Sequence, residues 1–168
     1  AVAATPAHAF DLTFWLTAGA ILVLLALSAF FSGSETALTA SSRAKLRSRA
    51  DKGDPGAQKA LEVTEDSESL IGSILLGNNV VNILSASLAT ALFTRALGSS
   101  GVAAATLVMT VLVLIFSEVL PKTYAILAPE DMASRVARPI SILTHVMSPI
   151  VAVVRLIVRG ILAIFGIR

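Results

Sequence analysis

Three long apolar runs set the pattern of the chain. Phe14 to Phe31 is nearly continuous and can extend through the polar Ser32–Glu35 stretch to Ala40, Leu70 to Phe93 forms a second run, and a third starts at Val102 and extends to Leu127. A helix needs about 20 mostly apolar residues to cross the hydrocarbon core of a bilayer. The pattern therefore predicts spanning helices over about 14–40, 70–93 and 102–127. The second is entered through TEDSES, whose carboxylates and serines suit a helix N-terminus. Only TRALGSSG separates it from the third, which predicts a tight turn and an antiparallel pair.

Between the first two runs the pattern turns polar. SSRAKLRSRADKGDPGAQKALEVTEDSES carries Arg43, Lys45, Arg47, Arg49, Lys52 and Lys59, and its DKGDPGAQ predicts a turn between two short helices over about 43–62. Lys and Arg beside short loops favour the cytoplasm. The N-terminus, with no Lys or Arg before Arg43, is therefore expected outside, as is the loop near Gly98. The C-terminal side is expected in the cytoplasm. The last stretch, about 130–167, is also apolar, but Arg155 and Arg159 interrupt it, and an arginine at mid-bilayer costs roughly 2.5 to 3.5 kcal/mol. Pro139 and Pro149 predict breaks into shorter pieces. The expectation is a set of juxtamembrane helices along the inner leaflet, with arginines toward headgroups and apolar side chains buried. This keeps Arg135, Arg138, Arg155, Arg159 and Arg168 on the positive side.

Composition sharpens this to an all-α integral membrane protein with one domain. Of the 168 residues 55% are hydrophobic and 14% charged, against about 25% charged in a soluble domain. A net charge of +2 gives no reason to expect nucleic acid, and the lack of cysteine excludes disulfides, thiolate metal sites and a cysteine nucleophile. No basic region of the kind a secretory signal needs precedes Phe14. The start without methionine and the apolar end suggest a piece of a longer protein.

The polar positions inside the spans are the candidate chemistry. Asn78, Asn82 and Ser85 recur at i, i+4 and i+7 and share one helical face, whereas Asn79 points about 100° away. The first span brings Ser32, Ser34 and Glu35, and the third brings Glu118 ahead of Pro121 and Lys122. Pro121 frees the carbonyl of Ser117, and Gly33 and Gly77 allow close backbone approach or local unwinding. Two readings stay open here. The amides can be hydrogen-bonding glue between helices, and Glu118 can be the structural partner of Lys122. Alternatively, carboxylate, amide, hydroxyl and carbonyl oxygens form a hard-ligand set that suits Mg²⁺, Ca²⁺ or Na⁺ better than zinc or copper. His8 and His145 lie apart from this set.

FSGSETALTA, the basic loop, LIGSILLGNNVVNI and IFSEVLPKTYA, in that order, resemble the transmembrane domain of the CorC/CNNM (cyclin M-like) family of magnesium transporters. The resemblance covers roughly residues 14 to 167 and treats 1–168 as a single such domain. It implies three spanning helices with a belt of cytoplasmic-side juxtamembrane helices, a homodimer, and Mg²⁺ export across the plasma (inner) membrane driven by Na⁺ entry. It places the ion site on Ser32 with Ser34 close by, on Asn78 and Asn82, on backbone carbonyls around Gly77, and on Glu118. ATP would act only through cytosolic CBS domains, which lie outside these residues. One departure is Ser117, where the family usually has glycine before the third-span glutamate; a hydroxyl there adds bulk or a further ligand. The competing expectation is a membrane-anchored Mg²⁺ sensor or dimerising scaffold without transport, in which the small residues of SASLAT serve helix packing. An enzyme is not expected: the sequence shows no nucleophile and base pair, phosphate loop or catalytic metal signature.

Overall fold

The computed structural model describes residues 10–167, which leaves His8 and Arg168 outside the described residues. Every regular element described is helical: α1 (Leu12–Ala40), α2 (Arg43–Asp51), α3 (Pro55–Glu65), α4 (Ser67–Leu97), α5 (Gly101–Leu112), a π-helical segment (Val113–Val119), α6 (Leu120–Leu127) and α7 (Pro129–Ile164). The chain divides into two compact units. The first combines the chain up to Gly33 with Asn78–Thr123, and the second combines Ser34–Gly77 with the chain from Tyr124.

In the first unit, α1 starts at Asp11, whose Oδ1 accepts the backbone N–H of Phe14 at 3.0 Å. The other carboxylate oxygen of Asp11 meets Arg95 at 2.6 Å, tying the start of α1 to the last turn of α4. The turn from α4 to α5 depends on two glycines. Gly98 takes a φ of 71°, which costs a side-chain-bearing residue free energy, and a Cβ on Gly101 would collide with the backbone of Phe93 and Thr94. The chain thus folds back tightly, and Ile21, Leu25, Ala89, Ala105 and Met109 form a shared core. Leu22, Ile83 and Leu107 are 66%, 68% and 69% exposed, whereas Ser28, Ser32, Ser85 and Ser117 are at most 1% exposed. Apolar outside and polar inside is the arrangement that hydrocarbon solvent requires.

The second unit is held by helix caps and ion pairs. Ser42 caps α2 by accepting from the N–H of Lys45. Asp54 caps α3, accepting from the N–H groups of Gly56 and Ala57 at 3.0 and 3.3 Å, with Pro55 preset for the first helical position. The same carboxylate accepts from Ser134 Oγ at 2.9 Å, which joins the cap of α3 to α7. Hydrogen bonds from Ser134, and then from Ala57 and Gly56, hold the Asp54 carboxyl below its usual pKa. Glu130 accepts the Ser42 N–H at 3.1 Å and is likewise lowered, chiefly by that bond. Arg49 pairs with Asp131 at 2.6 Å. Further along α7, Val151 packs where a Cβ on Gly72 would lie 3.0 Å from its Cγ1. Arg155 then reaches Glu68 at 3.3 Å and Asp66 at 3.8 Å.

Several expectations change at this level. The basic loop forms two helices as expected, the second continuing to Glu65. α7 is one helix through Pro139 and Pro149, not a set of shorter pieces. Each proline removes one backbone bond and kinks or strains a helix, but near Pro139 the helix is held by the buried side chains of Ala133, Ala137 and Ile140. Arg155 pairs with two carboxylates at the start of α4. Helices α1 and α4 run unbroken through Gly33 and Gly77, so the expected unwinding there is absent and their carbonyls stay in the helical ladder. The irregularity falls instead at the π-helical segment before Pro121.

Three described stretches are long and apolar enough to cross a membrane: Leu12–Ala40, Ser67–Leu127 and Pro129–Ile164. The second, 61 residues long, turns back at Gly98 and is long enough for two passes at about 20 residues each. The chain is a multi-pass membrane protein.

Candidate cation site in the first unit

α1 and α4 meet through oxygen. Ser28, fully buried, places its hydroxyl 2.8 Å from Asn78 Oδ1 and 2.7 Å from Asn82 Oδ1. The i, i+4 spacing of the asparagines makes this possible, since both amides project from one face of α4. Ser85, on the same face, returns its hydroxyl to the carbonyl of Asn82 at 3.0 Å. Asn79 is exposed, as its angular offset requires. A hydroxyl carries one proton, so it can serve only one of the two amide oxygens at a time. The second oxygen must turn its amide over or accept from something else.

One turn further along α1, Ser32 donates to Glu118 Oε2 at 3.3 Å. The same oxygen is 3.1 Å from Lys122 Nζ, so the suspected Glu118–Lys122 pair is present. It does not exhaust the carboxylate, which still reaches Ser32 across helices. Glu118 lies in the π-helical segment Val113–Val119, and π turns inside helices are frequent at functional sites. Ser117 directs its hydroxyl to the carbonyl of Leu25 at 3.0 Å. It is therefore a buried tie to α1; its proton is spent on that carbonyl. An open cavity of about 460 Å³, lined by Ala86, Thr90, Ala105, Thr106 and Met109 among others, extends to Glu118.

Of the residues singled out in the sequence, Ser32, Asn78, Asn82 and Glu118 thus belong to the first unit, with interhelical bonds to at least one of α1, α4 and the π segment. Ser34 and Gly77 fall in the second unit. Ser34 there is buried with its hydroxyl unpartnered, as is the hydroxyl of Ser73. Ser28 escaped the sequence reading. Its signal is its place one turn before Ser32, on the face of α1 that α4 covers.

A family model described as the cyclin M transmembrane N-terminal domain matches residues 19–168. The chain belongs to this family. Among similar proteins, the UPF0053 inner membrane protein YfjD of Escherichia coli is 40% identical over 142 residues, covering 84% of this chain and 33% of that protein. A chloroplastic DUF21 domain-containing protein of Arabidopsis thaliana is 39% identical over 148 residues, 88% of this chain and 22% of the relative. A protein of Escherichia coli named polyamine export protein is 32% identical over 144 residues, 78% of this chain and 32% of its own length. This cyclin M domain therefore spans about a third or less of the relatives it matches.

Proposed function

We propose that this domain carries Mg²⁺ across the membrane, as the ion-translocating part of an exporter coupled to Na⁺ entry. The observation that supports it is the meeting of Ser28, Asn78 and Asn82 oxygens, where two acceptors share one proton inside a membrane helix bundle. A cation that has lost part of its hydration shell takes hard neutral oxygens in place of water. Glu118 adds the charge, and Ser32 holds its carboxylate toward α1. In this reading Ser32, Asn78, Asn82 and Glu118 hold the ion in the first unit. The ion enters from the cytoplasm and leaves outside, with the N-terminus outside.

The same reading takes α7 as a helix lying along the inner leaflet up to Arg155. Residue 130 meets Ser42, just after α1, and residue 155 meets Asp66 and Glu68, just before the span in α4. Both places are ends of spans facing the basic loop, so 25 residues of α7, about 38 Å at 1.5 Å each, run between two points on one side. A homodimer is part of the proposal, with the exposed small residues Ala86 and Ser87 of α4 as its seat.

A second reading takes a polyamine as the cargo. The cavity ending at Glu118 offers apolar walls for methylene groups and one carboxylate for an ammonium, and some relatives are named polyamine exporters. Flux in proteoliposomes decides. The proposal expects Mg²⁺ efflux that rises with an opposing Na⁺ gradient and falls at least about tenfold in Glu118→Ala. Mg²⁺ movement unchanged in that variant counts against it, and spermidine flux without Mg²⁺ flux selects the second reading. Binding of Mg²⁺ with no flux in either direction selects the sensor or scaffold.

A further inference from the structure

α3 and α7 border an open groove of about 490 Å³ lined by Lys59, Arg138, Ser141, Ile142, His145 and Val146. No carboxylate lines it, and among the described residues none pairs with Arg138 within 4 Å. The acids of the adjoining groove, Glu62 and Asp66, are engaged by Lys59 at 3.4 Å and Arg155 at 3.8 Å. Ser141 is 6% exposed and lines both grooves. His145 Nδ1 lies 2.8 Å from the carbonyl of Ser141 and donates there, which ties the ring back to α7. Arginine, lysine and a hydroxyl are a donor set for a phosphate ester.

We infer that this groove is a binding site for the phosphate headgroup of an anionic membrane phospholipid. The apolar wall selects lipid over a soluble phosphate. Ile142 and Val146 begin a stripe continued by Ile150, Val153, Ile157 and Ile161, all exposed and spaced three or four apart along α7. An acyl chain laid along this stripe would cover it while the phosphate meets Arg138 and Ser141. The arrangement matches how basic residues beside membrane helices draw acidic lipids. The lipid would act as a wedge at the α3–α7 junction, fixing the cytoplasmic-side layer.

The test is native mass spectrometry of the purified chain in detergent with added phosphatidylglycerol, phosphatidylcholine or inorganic phosphate, alongside thermal unfolding. Phosphatidylglycerol is expected to remain bound and raise the midpoint, with phosphatidylcholine and inorganic phosphate much weaker. Arg138→Gln should weaken retention about tenfold, more than the roughly fivefold expected for one generic charge near an anionic surface. Ser141→Ala should also weaken it, while Arg135→Gln, an equally exposed charge outside the groove, should leave it within about twofold. Equal loss in Arg135→Gln, or equal retention of phosphatidylcholine, overturns the inference. So does a full response to inorganic phosphate, which would make the ligand a soluble anion.

Discussion

Apart from the Asp11–Arg95 pair at the ends of α1 and α4, the two units make their interhelical polar contacts with different groups. In the first, hydroxyls and amides on spanning helices bond to one another, and the single carboxylate at the cluster, Glu118, is shared between Ser32 and Lys122. In the second, carboxylates cap helices or pair with arginines, as Asp54, Glu130, Asp131 and Glu68 do. The difference follows from solvent. Neutral oxygens are affordable where hydrocarbon surrounds the bundle, whereas a full charge needs a partner and access to water. A cluster of neutral oxygens is also easier to redirect toward a passing ion than a capped, ion-paired acid, since no charge must be left bare.

That contrast can be broken at graded strength. Replacing Glu118 with alanine removes the one carboxylate in the first unit's cluster and leaves Lys122 without it. It should lower ion flux at least about tenfold while leaving the fold of the second unit intact by circular dichroism. Gly56→Leu should be the most damaging change in the second unit. A Cβ there already collides with Ser134, and overpacking typically costs about 1–3 kcal/mol, to be read as a lower unfolding midpoint. Ser28→Ala should cost about 1 kcal/mol for its lost hydrogen bond, and should weaken cation binding more than it weakens folding. If folding alone suffers, the cluster is helix glue.

The smallest effect is that of pH. Asp54 and Glu130 have folded pKa values below their usual ones, so their bonds stabilise the second unit fully above the unfolded values, about pH 4. That contribution fades as pH falls through the lower folded values. Ser134→Ala should flatten the acid limb of a stability profile, because it removes the main cause of the Asp54 shift. An acid limb unaltered by this substitution would remove Asp54 from the account.

How much of this could be read from sequence depended on which solvent the rule assumed. The long apolar helices were legible as apolar runs, and the Asn78, Asn82 and Ser85 face followed from helix periodicity alone. The turn at DKGDPGAQ was equally clear, since Asp54 and Pro55 are a cap and a first-turn proline. Ser28 was hidden because a lone serine in an apolar run usually bonds back to its own helix, and only the facing asparagines reveal otherwise. The π-helical segment has no compositional signature. Pro139 and Pro149 misled because their breaking power is calibrated on exposed helices, while α7 is braced by Ser134, Val151 and Arg155.

The measurement that bears most directly on the central claim is the unfolding midpoint of the chain in detergent against MgCl₂. NaCl, CaCl₂ and spermidine serve as parallel series, and wild type is compared with Asn78→Ala. A ligand at about 100 times its dissociation constant stabilises by roughly 2.7 kcal/mol. The account predicts that Mg²⁺ raises the wild-type midpoint and that Asn78→Ala abolishes the rise. An equal rise in both proteins, or none in either, would contradict the claim that these asparagines hold the ion.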